Sequence, residues 1–269
     1  MQDSMPPIVP SLQKYIRSDM HSVAGYLKTL DAKAIASLLA AQEVGSIKGS
    51  VCEIGVHHGR LFFLLALARR SGEAALAIDL FEDDAINRSS RWHQGRDRAL
   101  FRNAKRLGIP LEESQAWKTS SLEIQPEELL RRTGGPIRFF SIDGGHDYAS
   151  VANDLALAQA TLSPEGIVAI DDFFNVEWPD VSRAAYDFMR TTDRLVPFLL
   201  TPVKLYLTTP AFVQTYTEAI RTLGENFRLR SVEFQNHSIA LLQHSTTQRI
   251  ADQLGNVVSQ MKVRVRGTR

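Results

Sequence analysis

Apolar positions run through this chain in two periods, and the switch between them divides it. Ile16, Met20, Val23 and Leu27 recur every three to four residues, and Ile35, Leu38 and Leu39 keep that spacing after Asp31. Such spacing lines one helical face, so residues 13–44 are predicted to form helices that stop at Gly45. From residue 50 short, strongly apolar runs take over. Residues 51–54, 74–80, 115–118, 137–142 and 167–170 predict five strands. Helical patterns over about 59–70, 97–107, 126–133, 148–162 and 181–189 follow them in turn. Strands alternating with helices imply a parallel sheet joined by right-handed crossovers. A strand at 204–208, a helix at 211–223 and a strand at 231–243 predict an antiparallel closure at one edge. The expectation is an α/β, Rossmann-like sheet of seven strands, mostly parallel with an antiparallel last strand, under an N-terminal helical cap. Residues 1–45 form lead-in and cap, 46–245 the sheet domain, and 246–269 a C-terminal helix and basic tail.

Composition narrows the class of protein. Apolar residues make up 44% of 269, enough for a substantial core. The net charge of +1 gives no electrostatic case for nucleic acid or an anionic membrane. Lys262, Arg264, Arg266 and Arg269 near the C-terminus form too small a patch to change that. The single cysteine, Cys52, excludes an internal disulfide and suits a reducing compartment. Asp3, Pro6, Pro7 and Pro10 occupy the place where a signal peptide needs an apolar stretch. The longest apolar run, residues 61–68, is too short to span a bilayer. A cytoplasmic protein is expected, with no membrane or nucleic-acid partner.

The chemistry gathers where strands end. Asp143 closes the run 137–142, and Asp171-Asp172 closes 166–170. In a parallel sheet, residues just past the carboxyl ends of neighbouring strands converge on one crevice. Adjacent acids repel each other, and a hard divalent cation such as Mg²⁺ accounts for them better than stability does. Capping of the following turn is the competing account. Between the first strand and its helix lies Glu53-Ile54-Gly55-Val56-His57-His58-Gly59. Its two glycines permit a tight turn and close approach to a ligand, although the G-x-G-x-x-G spacing is missing. Asp79 closes the second strand, where a carboxylate can accept from both hydroxyls of a ribose. Loop and acid together imply an adenosine-containing cofactor with no pyrophosphate cradle.

These features resemble the class I S-adenosylmethionine-dependent methyltransferases. Phe140-Ser141-Ile142-Asp143-Gly144-Gly145-His146-Asp147-Tyr148, then Asp154-Leu155 and Leu162-Ser163-Pro164-Glu165-Gly166, are similar to a DGxHxY…DL…LxPGG…DD signature. That signature marks the metal-dependent macrolide-sugar and aminocoumarin-sugar O-methyltransferases, the macrocin branch. The likeness covers about residues 25–188. It departs at Glu165, where the family has glycine, and at the bulky His57 and His58. The resemblance implies that Glu53, Gly55 and Gly59 hold the methionine end of S-adenosyl-L-methionine, with His57 and Asp143 as further cofactor-binding candidates. It places Asp79 at the ribose, Ser120 or Ser121 near the adenine, and Mg²⁺ on Asp143, Asp171 and Asp172.

The expected reaction is Mg²⁺-assisted methyl transfer to a hydroxyl on a sugar-bearing or polyol-like small molecule. His146 leads as general base because imidazole titrates near working pH, and Asp143 is the other candidate. Metal-free methylation with His146 as base, and cofactor binding without turnover, stay open. The polar stretch 81–97, with Trp92, is a candidate acceptor loop. Residues 21–26 would form the opposite wall, and Trp178 and Pro179 would border the metal. A homo-oligomer contacting through the cap is a further expectation.

Overall fold

The computed structural model describes residues 10–81, 97–224 and 227–245. The acceptor-loop residues around Trp92, the lead-in before residue 10 and the tail from 246 lie outside the described residues. Helices α1 (Pro10–Arg17) and α2 (Thr29–Val44) precede the first strand. Then β1 (Ser50–Ile54), α3 (Arg60–Ala68), β2 (Ala75–Asp79), α4 (Asp97–Leu107) and β3 (Ala116–Lys118) follow. Next come α5 (Pro126–Thr133), β4 (Ile137–Ile142), α6 (Tyr148–Thr161), β5 (Leu162–Ile170) and α7 (Pro179–Thr191). The chain ends in β6 (Val196–Leu200), β7 (Leu205–Thr208), α8 (Val213–Arg221), β8 (Phe227–Phe234) and β9 (His237–His244).

The strands join in one sheet of order β3-β2-β1-β4-β5-β7-β6-β9-β8. Strands β1 to β5 pair in parallel, whereas β7 runs antiparallel to both β5 and β6. Every residue of β1 and β4 is buried, as a central strand covered on both faces requires. Alternate residues then serve opposite cores. Val51, Phe139, Ile167 and Ala169 pack with the apolar side chains of α1, α2, α3 and α8. Cys52, Phe140, Val168 and Ile170 pack with α5, α6 and α7. Thus the N-terminal cap shares a core with the sheet. No helix among the described residues is long and apolar enough to cross a membrane.

Among the described residues the sheet has nine strands rather than the seven expected. Residues 196–200 form β6, a strand that Pro197 concealed in the sequence pattern. The run around 231–243 is a hairpin, because Gln235 and Asn236 take φ values of 49° and 62° and reverse the chain. Positive φ at both central residues is the requirement of a tight hairpin turn.

At the amino ends of the strands a buried cation orders the base of the sheet. Arg138, in β4, is 1% exposed. It reaches Glu73 at 2.9 Å and Gln42 of α2 at 2.8 Å. Burial pushes the Glu73 carboxyl up, but hydrogen bonds from Arg70 and Arg138 outweigh it and hold it at about 2. A depressed folded value stabilises above the ordinary carboxylate range and is lost as pH falls toward about 2. Glu73→Ala should therefore cost about 3–5 kcal/mol near neutral pH by stranding Arg138. Urea unfolding at neutral and acidic pH checks it, and the gap between wild type and variant should shrink on acidification.

Candidate functional site

The loop after β1 is set by backbone geometry before any ligand is considered. Gly55 and Gly59 take φ of 85° and 93°, a region that side chains avoid. A Cβ on Gly55 would stand 1.7 Å from the carbonyl oxygen of Asp143, so β1 and β4 exit backbone against backbone. Asp79 fastens this loop. Its Oδ2 accepts from the His57 amide at 2.7 Å and its Oδ1 from the Phe81 amide at 2.6 Å. Burial raises the Asp79 pKa, and those amides oppose the rise. The residue expected at the ribose therefore also shapes the turn.

Glu53 is 2% exposed, and its Oε2 has no hydrogen-bond partner. Burial raises its pKa, and Lys204 opposes the rise. It lines a cavity with Gly25 and Tyr26 of the cap and with Asp143, Asp171 and Lys204. An unpartnered buried carboxylate oxygen beside a glycine turn fits the amino end of S-adenosylmethionine. The cavity volume is about 30 Å³, and residues 24–27 of the cap form one of its walls. Arg60 ties that segment down, its Nε donating to the Val23 carbonyl at 2.7 Å.

The acids divide between two partners. Pairing of β5 with β7 sets Ile170 opposite Leu205, which brings Lys204 beside Asp171. Lys204 Nζ lies 2.7 Å from Asp171 Oδ2, and the lysine side chain is 1% exposed. Burial alone would lower the ammonium pKa, yet Asp171, Asp143 and Asp31 outweigh it and raise it. Asp171 Oδ1 accepts the Asp172 amide at 2.9 Å, so both its oxygens are engaged. Asp143 has a raised pKa, from burial first and from Asp171 next, with Lys204 opposing. Asp172 turns outward with a φ of 55°. Its Oδ2 meets His146 Nε2 at 3.0 Å, and its Oδ1 accepts from Asn175 at 2.8 Å. Burial alone would raise the Asp172 pKa, but His146 and Asn175 lower it. The His146 ring stacks on Trp178 at 4.4 Å.

Of the three carboxylates expected to hold Mg²⁺, Asp143 and Asp172 converge with His146, while Asp171 lies beside Asp143 and pairs with Lys204. Among the described residues the donor atoms that converge, all within 4.8 Å, belong to Asp143, His146 and Asp172. That set holds an imidazole in place of the Asp171 carboxylate, and Mg²⁺ favours oxygen. Asp171 Oδ2 is already taken by the Lys204 ammonium, whose charge would oppose a dication placed there. A three-aspartate Mg²⁺ site would have to displace Lys204 from Asp171.

Ser120 and Ser121 follow β3 but serve the fold locally. The Ser120 hydroxyl accepts from the Leu122 amide at 3.3 Å, and the Ser121 carbonyl accepts from the Asn153 side-chain amide at 2.9 Å. Neither lines the cavity beside Glu53. His57 does line it, its ring 4.0 Å from that of His58. Two residues escaped the sequence reading. Lys204 carries no signal beyond a charge inside an apolar run. Asp31 looked like a helix start, yet its Oδ1 is buried against Thr201 at 2.6 Å and Tyr206 at 3.3 Å.

Comparison with known proteins follows this geometry. Residues 52–173 match the methyltransferase domain family. The solved structure of the O-methyltransferase NovP is similar at 16% identity, over 67% of this chain and 78% of that one, with a TM-score of 0.51. A putative O-methyltransferase from Klebsiella pneumoniae matches over 76% of this chain and 91% of its own, at 13% identity and a TM-score of 0.47. The calicheamicin methyltransferase CalS11 matches over 77% and 94%, at 18% identity and a TM-score of 0.43. No curated protein sequence matches the chain.

The loop geometry makes a graded prediction. Gly55→Ala should destabilise by well over about 1 kcal/mol, since strain at positive φ adds to a backbone collision. Gly72→Ala, with φ of 82° and nothing within 4 Å of the new methyl, should cost less. Urea titrations of both variants decide it, and equal losses would remove the crossing at Asp143 as the cause.

Proposed function

We propose that the chain, whose residues 52–173 match the methyltransferase domain family, is a class I S-adenosylmethionine-dependent methyltransferase that methylates a hydroxyl of a small molecule. The acceptor class is a sugar-bearing or polyol-like compound, as the resemblance to the macrocin branch implies. The fold likeness to NovP, an O-methyltransferase, supports oxygen as the accepting atom. One observation carries the reading. Asp143, His146 and Asp172 bring their donor atoms within 4.8 Å of one another at the ends of β4 and β5, beside the turn after β1.

Bound S-adenosylmethionine supplies a sulfonium methyl, and everything else falls to the residues of the chain. Glu53 offers its free Oε2 to the amino end of that cofactor. Asp79 holds the glycine turn in place and lies where a ribose can share its carboxylate. At the mouth, His146 Nε2–H donates to Asp172, which leaves Nδ1 as the proton acceptor for the incoming hydroxyl. Stacking on Trp178 limits rotation of the ring. The acceptor oxygen forms a bond to the methyl carbon, the carbon–sulfur bond breaks toward sulfur, and the hydroxyl proton passes to His146. Asp143, with its raised pKa, is the nearest alternative acceptor.

Titrating S-adenosylhomocysteine into the purified chain by calorimetry should give saturable binding, and its absence would sink the proposal. His146→Ala and Asp172→Asn should keep that binding while labelled methyl transfer to a panel of sugar and polyol hydroxyls falls by about 10²–10⁴-fold. Loss of binding and transfer together would make the pair structural.

A further inference from the structure

Taking its location from the methyl-transfer reading, we propose that the Lys204 ammonium is the site's own cation, standing in for a divalent metal ion at Asp143 and Asp171. The lysine is delivered by backbone geometry. It ends a tight turn in which the Thr201 amide donates to the Lys204 carbonyl at 2.9 Å, and the Lys204 amide donates to Thr201 Oγ1 at 3.0 Å. Antiparallel pairing of β7 with β5 then carries the side chain inward alongside Asp171. Its Nζ lies 2.7 Å from Asp171 Oδ2 with 1% of the side chain exposed, so the charge has no route to solvent.

Asp31, Asp143 and Asp171 all act on this one ammonium, and Asp31 is itself held by Thr201 and Tyr206. A metal ion in such a site would gather the acids and place positive charge near the acceptor oxygen. The ammonium performs the first task, as a compact point charge on a fixed stem. Being monovalent and already bound to a carboxylate, it leaves proton removal to another group. Asp172 and His146 stand apart from it as that group.

The test follows Mn²⁺ binding to the full-length chain by electron paramagnetic resonance, with no acceptor needed. Wild type should show no saturable site in the micromolar to low millimolar range. Lys204→Met should gain one that binds at least about tenfold tighter than wild type, and adding Asp171→Asn should abolish it. A saturable Mn²⁺ site in wild type that is lost in His146→Ala or Asp171→Asn overturns the proposal. A Lys204→Met variant that binds no better than wild type also overturns it. Should circular dichroism show that variant unfolded, Lys204→Ala replaces it and is held to the same outcomes. Parallel calorimetry with S-adenosylhomocysteine in EDTA reports on the cofactor site separately, so its failure strikes the methyl-transfer reading and leaves the Mn²⁺ result standing.

Discussion

One buried ion pair conditions the whole carboxyl end of the sheet. Asp31 from α2, Glu53 from β1, Asp143 after β4 and Asp171 after β5 are brought together from four separate elements. Left alone, such a group would carry uncompensated charge in a medium that screens it poorly. The Lys204 ammonium, 2.7 Å from Asp171, makes the arrangement tolerable. Burial opposes its charge and the surrounding acids restore it. Its partners come from the cap and from the ends of the central strands, and Lys204 itself stands at the start of the antiparallel strand β7.

That ion pair separates an interior from a mouth. Inside, Asp171 is saturated by the ammonium and by the Asp172 amide. At the mouth, Asp172 and His146 stay 25% and 31% exposed, within reach of an entering acceptor. A left-handed backbone at Asp172 turns its carboxylate away from its neighbour's partner. Two adjacent acids thereby acquire different chemistry: one is locked in an ion pair, and the other is left to orient a base. Environments that push neighbouring titratable groups apart are what acid–base catalysis needs.

The sequence disclosed most where a single element decided the outcome. The central parallel strands are continuous apolar runs, and Asp79, Asp143, Asp171 and Asp172 close them, so fold class and the site's location were legible. The edge was not. Pro197 masked β6, and the reversal at Gln235-Asn236 lacks the glycine that marks most tight hairpins. Side-chain partners were the least legible. Ser120 and Ser121 sit at the anticipated strand end, yet the Ser120 hydroxyl caps a turn and the Ser121 carbonyl holds Asn153. Lys204 meets Asp171 only through antiparallel pairing, which a local pattern cannot express.

An acidic signature therefore states where carboxylates stand and leaves their counter-charge open. The chemistry of methyl transfer gives that choice a consequence. The sulfonium carries positive charge in the ground state and loses it as the methyl leaves. Unneutralised carboxylates beside it would stabilise the ground state more than the transition state and so oppose reaction. A fixed ammonium among Glu53, Asp143 and Asp171 reduces that bias while keeping the acids folded inward. Unlike a metal ion, it cannot dissociate, so its charge is present before any ligand arrives and needs no reorganisation during the step. The same permanence costs the site a dication's power to acidify a hydroxyl. It is this loss that gives the His146–Asp172 pair its place at the mouth.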